Sequence, residues 1–280
     1  MIDSNGRLDG HVLIVAFEGW NDAGEAASCA ARMISDQLQL VPHSEVDPEL
    51  YFDFNFNRPV LTDRDGERKL VWPAVHVLAP RDAGNIFVLS GSEPSRNWRT
   101  FCQETIETLL TVDIDAVVFL GAMLADVPHS RPISVVTSSE NEDTRLQFSL
   151  ERSTYEGPVG ILSALAEAAE AVGLATLSIW ASVPHYVHNS PSPKATLALI
   201  EELERFVDIT IDRKNLATEA ATWEEGINAL AADDDDMATY IAQLESARDA
   251  VDSPEASGEA IAQEFQRYLN TREDPESSED

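Results

Sequence analysis

Cysteine, basic residues and long apolar runs are all scarce in this sequence. Two cysteines, Cys29 and Cys102, are too few for a disulfide scaffold, and a chain of 280 residues can bury a core without one. Lys and Arg number 19 against 50 Asp and Glu, a formal charge of −31. A surface this acidic repels phosphate backbones and anionic headgroups, so neither nucleic acid nor a membrane surface is expected as a partner. The longest nearly unbroken apolar run, residues 116–125, falls far short of the roughly 18 residues that a bilayer span requires. Residues 1–10 are polar and carry no hydrophobic signal segment, so a cytoplasmic location is expected. What the sequence does have is 44% apolar residues, enough to build a core and to exclude global disorder.

The charge is uneven. Residues 1–214 hold 32 acids and 16 bases, whereas residues 215–280 hold 18 acids and only 3 bases. That shift marks a domain boundary near Asn215. The expected organisation is an α/β domain over 1–214, an acidic helical extension over 215–270 and a disordered tail over 271–280.

Within the first part, short strand patterns alternate with amphipathic helical ones. Residues 12–17 (VLIVAF) and 116–120 (AVVFL) are apolar throughout, the signature of strands buried on both faces. Further strands are predicted at 75–78, 86–89, 133–137 and 176–183. Tyr51, Phe52, Phe54 and Phe56 read as aromatic strand material. Helices are predicted over 23–40, capped by Asp22 with Glu25 in a capping box; after Ser92, with Pro94 in the first turn; over 158–172, with Val159 and Val172 facing inward; and from Ser192. Trp72, Trp98 and Trp180 are expected in the core. This alternation implies a layered α/β sheet, at least partly parallel.

The extension reads differently. Leu216, Ala220, Trp223, Ile227 and Leu230 form a heptad seam. Met237, Ile241, Leu244 and Val251 resume it, and Ile261, Phe265 and Tyr268 form a third, shorter one. The four aspartates at 233–236 mark the intervening turn and the next helix N-terminus, where negative charge is favoured.

Three loops follow predicted strands, at 18–24, 121–132 and 184–193. Parallel strands would bring all three to the carboxyl edge of the sheet, where open α/β folds place ligands. The crevice would gather Trp20, Asn21, Asp22, His129, Arg131, His185, Tyr186 and His188. An enzyme built there would use His129 or His185 as acid or base, Arg131 to hold an anion, and Asp22 beside them. The Gly19-to-Gly24 spacing matches a phosphate-binding loop, but Glu25 and Ala26 stand where such a loop needs Lys and Ser or Thr. With Asp22 inside the loop as well, ATP is not expected, and no other cofactor or metal set is evident. His185 and His188 lack the helical spacing and the acid of a zinc motif.

Several of these pieces resemble the proteasome-assembly-chaperone family, in its bacterial, actinobacterial-looking branch. The matching residues are Gly19-Trp20-Asn21-Asp22-Ala23-Gly24, Arg58-Pro59, Gly121-Ala122 and Pro128-His129-Ser130-Arg131-Pro132. They continue with Tyr155, Gly157-Pro158, Gly160-Ile161, Trp180, Pro184-His185-Tyr186 and Ser192-Pro193-Lys194-Ala195. The resemblance implies a three-layer α/β/α sandwich with a phosphorylase- or hydrolase-like mixed sheet. It also implies a non-catalytic chaperone that self-associates, with a trimer favoured, and acts on a protein client. Archaeal and eukaryotic relatives dock on proteasome α-rings through a C-terminal hydrophobic-Tyr-x ending. Residues 276–280 (ESSED) do not match it, so proteasome subunits remain a candidate client without that docking device. The alternative is a phosphorylase- or hydrolase-type enzyme using the three-loop crevice.

Overall fold

The computed structural model describes residues 6–64 and 66–252. The predicted seam at Ile261, Phe265 and Tyr268 and the tail at 271–280 lie outside the described residues.

The strand β1 (His11–Glu18) sits at the centre of the sheet. Val12, Ile14 and Ala16 face one core, Leu13, Val15 and Phe17 the other, and all six are fully buried. A 3₁₀ turn at Ala23–Glu25 leads into α1 (Ala26–Gln37), followed by β2 (Val41–Glu45) and the short α2 (Pro48–Tyr51). A hairpin of β3 (Val60–Arg64) and β4 (Glu67–Val71) precedes β5 (Val75–Ala79), β6 (Ile86–Ser92) and α3 (Trp98–Thr111). Then come β7 (Ile114–Ala125), β8 (Val135–Ser138), α4 (Glu142–Phe148), α5 (Ile161–Ala171) and β9 (Ala175–Pro184). A 3₁₀ turn at His185–Val187 leads to α6 (Pro193–Phe206), α7 (Leu216–Ala232) and α8 (Asp235–Asp252).

Seven strands make one mixed sheet in the order β2-β5-β6-β1-β7-β9-β8. The central pairings β6–β1, β1–β7 and β7–β9 are parallel; β2–β5, β5–β6 and β8–β9 are antiparallel. Helices α1 and α6 bury their apolar stripes on one face, α3 and α5 on the other, giving three α/β/α layers. Helix α7 lies on α6, and α8 on α7. Leu216, Ala220, Ile227 and Ala231 of α7 and Ile241 of α8 are buried. The hairpin β3–β4 stands apart as its own two-stranded sheet.

Several local expectations are corrected. Residues 51–56 are not a strand: Asp47 accepts a hydrogen bond from the Glu49 amide, Pro48 presets the first helical turn, and Tyr51 closes α2. The local cap outweighs aromatic strand preference. The third helix starts at Trp98, because β6 extends through Ser92 and the chain turns at Asn97. The fifth starts at Ile161, leaving Pro158 ahead of it, and Val159 and Val172 are exposed. Trp72 is 43% exposed rather than core, packing edge-on against Phe54. Leu230 and Val251 point outward from their seams, and Leu38 is exposed at the end of α1. Asp234 accepts from the amides of Asp236 and Met237, so the aspartate run does open α8.

Candidate functional site

Because β1, β7 and β9 are parallel, their carboxyl ends lie along one sheet edge, and all three loops leave from it. The loops are stitched together by the backbone. The Ala122 amide donates to the Asn21 carbonyl, and the Ser192 amide to the Gly24 carbonyl, both at 2.8 Å. Asp22 is buried, and its Oδ1 accepts from the amides of Ala27 (2.8 Å) and Ser28 (3.1 Å) at the start of α1. Glu25, left-handed at φ 50°, makes no return bond, and its own amide goes to the Asp22 backbone carbonyl, so the expected capping box does not form. Burial pushes the Asp22 carboxyl above its ordinary range. The helix-start amides that a phosphate would need are therefore already held by the chain's own carboxylate.

His129 has no exposed surface. Its backbone amide donates to the Tyr186 hydroxyl oxygen at 2.8 Å, and its Nδ1 lies 2.9 Å from the same oxygen. Asn228 Oδ1 beside Nε2 can only accept, which leaves Nδ1 to accept the phenol proton. Nε2 then carries the imidazole proton and donates to Asn228 Oδ1 at 3.1 Å. Desolvation lowers the His129 pKa, opposed by the Asn228 hydrogen bond and the Glu224 charge. Trp223 stands edge-on to the ring, with centroids 6.4 Å apart. Lys194 donates to the His129 carbonyl at 2.6 Å and to Glu224 Oε2 at 2.5 Å. Burial pushes the Tyr186 hydroxyl up to about 12.

Arg131 grips Asp249 with two hydrogen bonds of 2.7 Å, and its Nη1 lies 3.3 Å from Glu245. Ser130 donates to the same Glu245. Those hydrogen bonds hold Arg131 above its usual range and Asp249 below its own. His185 Nδ1 lies 3.1 Å from Asp126 Oδ1, and its ring meets Tyr186 and Tyr240 edge-on. His188 Nδ1 lies 2.8 Å from the His185 carbonyl oxygen, and Trp20 is 74% exposed. Among the described residues no hydrogen bond joins any two of Asp22, His129, Arg131 and His185, although His129 and His185 both meet Tyr186.

Several partners of His129 and Arg131 come from helices α7 and α8. Asn228, Glu224, Glu245 and Asp249 roof the loop edge, and sequence reading alone did not single them out. The one available signal was Glu245 and Asp249 at i, i+4 spacing, which puts two carboxylates on one helical face. No cluster of His, Cys, Asp or Glu able to hold a metal ion occurs among the described residues. No described helix is long and apolar enough to cross a membrane.

A family model described as the PAC2 family matches residues 16–231. The chain belongs to the PAC2 family. A PAC2 family protein from Streptomyces avermitilis is 39% identical, with 82% of this chain and 98% of that one covered and a TM-score of 0.75. A proteasome-assembly chaperone homologue from Mycobacterium tuberculosis is 38% identical, with 82% and 99% covered and a TM-score of 0.73. Pyrococcus furiosus PbaA shares the fold at 17% identity, with 86% and 96% covered and a TM-score of 0.58. No curated protein sequence matches the chain.

Several of the residues that carried the resemblance pack or hydrogen-bond against one another. A Cβ on Gly121 would stand 2.6 Å from the Trp180 ring, and one on Gly160 would stand 2.3 Å from the Asn21 amide. Asn21 in turn donates to Glu93, which also accepts from the Ile161 amide and so fixes the start of α5. Gly24, at φ +59°, presses its Cα side against Ser192. Pro128 and Pro184 are buried beside His129 and β9, whereas Gly19, Arg58, Pro132 and Pro158 are exposed. The Tyr155 hydroxyl, over Gly157, donates to the Pro158 carbonyl at 2.9 Å. Pro59 leads directly into β3.

Proposed function

We propose that this protein is a non-catalytic, assembly-chaperone-like protein that works in the cytoplasm through self-association and protein surfaces. The observation that carries this reading is the roof over the loop edge. His129 is enclosed and Arg131 is neutralised by two carboxylates of α8. A general acid or base must reach a substrate proton, and an anion-holding arginine must be open to the anion. His129 does not meet the first condition and the two carboxylates compete with an anion for Arg131, which disfavours a hydrolase- or phosphorylase-type enzyme built on that pair. The 38% identity to a chaperone homologue favours the same reading.

Proteasome subunits are the first client to test, and a closed homo-oligomer, a trimer before others, is the expected assembly. Purified proteasome α- and β-subunits would be mixed with and without the protein, and particle assembly followed on native gels. Faster or more complete assembly is expected. Unchanged assembly, together with no subunit captured from cytoplasmic extract, would remove the proteasome as client.

A further inference from the structure

The hairpin β3–β4 is the least explained part of the fold. It pairs only with itself, and every side chain of β4 is exposed. Leu61 stands opposite Leu70 on one face, and Val60 opposite Val71 on the other. All four are exposed, and so is Trp72 beyond them. An isolated two-stranded hairpin is marginal in water, and exposed apolar pairs on it are the mark of a contact surface.

The hairpin is also where bases gather. Residues 58–69 hold Arg58, Arg64, Arg68 and Lys69 against three acids, in a chain of net −31. Arg58 and Arg68 have no ion-pair partner among the described residues.

The complementary surface lies elsewhere on the chain. A groove of about 440 Å³ runs between the turn after β9 and α7, lined by Tyr186, Val187, Trp223, Ile227 and Leu230. Leu230 at its lip is 65% exposed. Residues 216–252 carry ten acids and one base, and Glu219 and Asp233 stand about one turn to either side of the groove residues on α7.

No described hairpin residue lines the groove within one chain. The hairpin leads into β5, the groove follows β9, and β6, β1 and β7 lie between those strands. At about 4.8 Å per strand the two are roughly 19 Å apart across the sheet. Two complementary surfaces at separate places along the same sheet edge make a head-to-tail contact between copies. Hairpin against hairpin would instead set bases against bases.

We infer that the β3–β4 hairpin of one copy docks, through Leu61 and Leu70, in the acid-rimmed α7 groove of a second copy. This deepens the self-association reading and rests on it. Such a contact closes into a ring when the rotation between copies allows.

The test uses the full chain, a Leu61→Asp/Leu70→Asp variant and a Leu230→Asp variant, each weighed by light scattering at tens of micromolar. The wild type should be an oligomer and each variant a folded monomer near 30.7 kDa with the wild-type circular-dichroism spectrum, because the altered side chains are exposed in the single chain. Mixed one to one, the variants should form a particle of two chains and stop there, since one intact hairpin meets one intact groove. Variants that keep the wild-type mass overturn this surface and leave self-association standing. Monomeric variants that fail to recombine also overturn it. A monomeric wild type removes both readings. Should the double variant fail to fold, Arg68→Glu keeps the apolar contacts and should weaken assembly about tenfold at low salt. Unchanged assembly of that variant overturns the inference.

Discussion

Arg131, in the loop after β7, reaches α8 and binds both carboxylate oxygens of Asp249 at 2.7 Å, more than a hundred residues along the chain. The bond is two-pronged but half in water, so its strength depends on screening. Hydrogen exchange along α8 should quicken in about 1 M salt, where the Debye length falls to about 3 Å. Arg131→Gln should produce the same quickening at low salt and cancel the salt effect. Equal exchange in wild type and variant would show that the pair does not hold the helix.

The enclosed His129 predicts a pH dependence. Burial lowers its pKa, so the unfolded chain binds the imidazole proton more readily than the folded one. Its contribution to stability is full above the ordinary value of 6.5 and shrinks as pH falls below it. The stability advantage of wild type over His129→Gln, read from denaturant midpoints, should therefore narrow from pH 7 to pH 5. A constant advantage across that range would contradict the buried neutral imidazole.

Asp22 predicts the opposite sign. Its carboxyl is pushed above the usual 3.8, so its ionised form weakens the fold as pH rises through the raised value. Asp22→Asn keeps an acceptor for Ala27 and Ser28 without the charge, and should be at least as stable as wild type at neutral pH. Asp22→Ala loses the cap and should cost about 1–2 kcal/mol. Calorimetry with magnesium ATP should show no binding to the wild type, because its tethered Asp22 carboxylate already holds those amides.

Three glycines should separate cleanly in thermal melts. Gly121→Ala drives a methyl into Trp180, and Gly160→Ala drives one into Asn21. Each should cost about 1–3 kcal/mol. Gly226, inside α7, has open space around it, so Gly226→Ala should stabilise by roughly 0.5–1 kcal/mol. Equal effects at all three positions would refute the packing described.

The extension gives a fourth comparison. Ile227 is 5% exposed and Leu230 is 65% exposed. Within the single chain, Ile227→Ala should cost about 2–4 kcal/mol and Leu230→Ala close to nothing. We further propose that deleting residues 215–280 leaves a folded α/β domain that exposes the α6 surface and loses solubility. A truncated protein unchanged in solubility and assembly would reject that.

The central strands were legible because a doubly buried strand has no choice but to be apolar, as residues 12–17 and 116–120 are. The hairpin β3–β4 was not, because its residues are mostly polar and touch little that would impose a pattern. Tyr51 and Phe52 misled for a related reason: strand preference is a packing preference, and a local Asp47-Pro48 start overrode it. The three loops were legible from their places after strands. Their occupants were not, because Asn228, Glu224, Glu245 and Asp249 look like solvated helix surface until α7 and α8 are folded onto loops that lie 30 to 118 residues earlier.

The alternation along β1 has one more consequence. Val12, Ile14 and Ala16 belong to one core, and Leu13, Val15 and Phe17 to the other, so a single strand is shared by both. Loosening either core strips a face from the same backbone ladder. The two helical layers therefore cannot melt separately, and the sandwich should come apart in a single calorimetric transition with the β1 amides among the last to exchange.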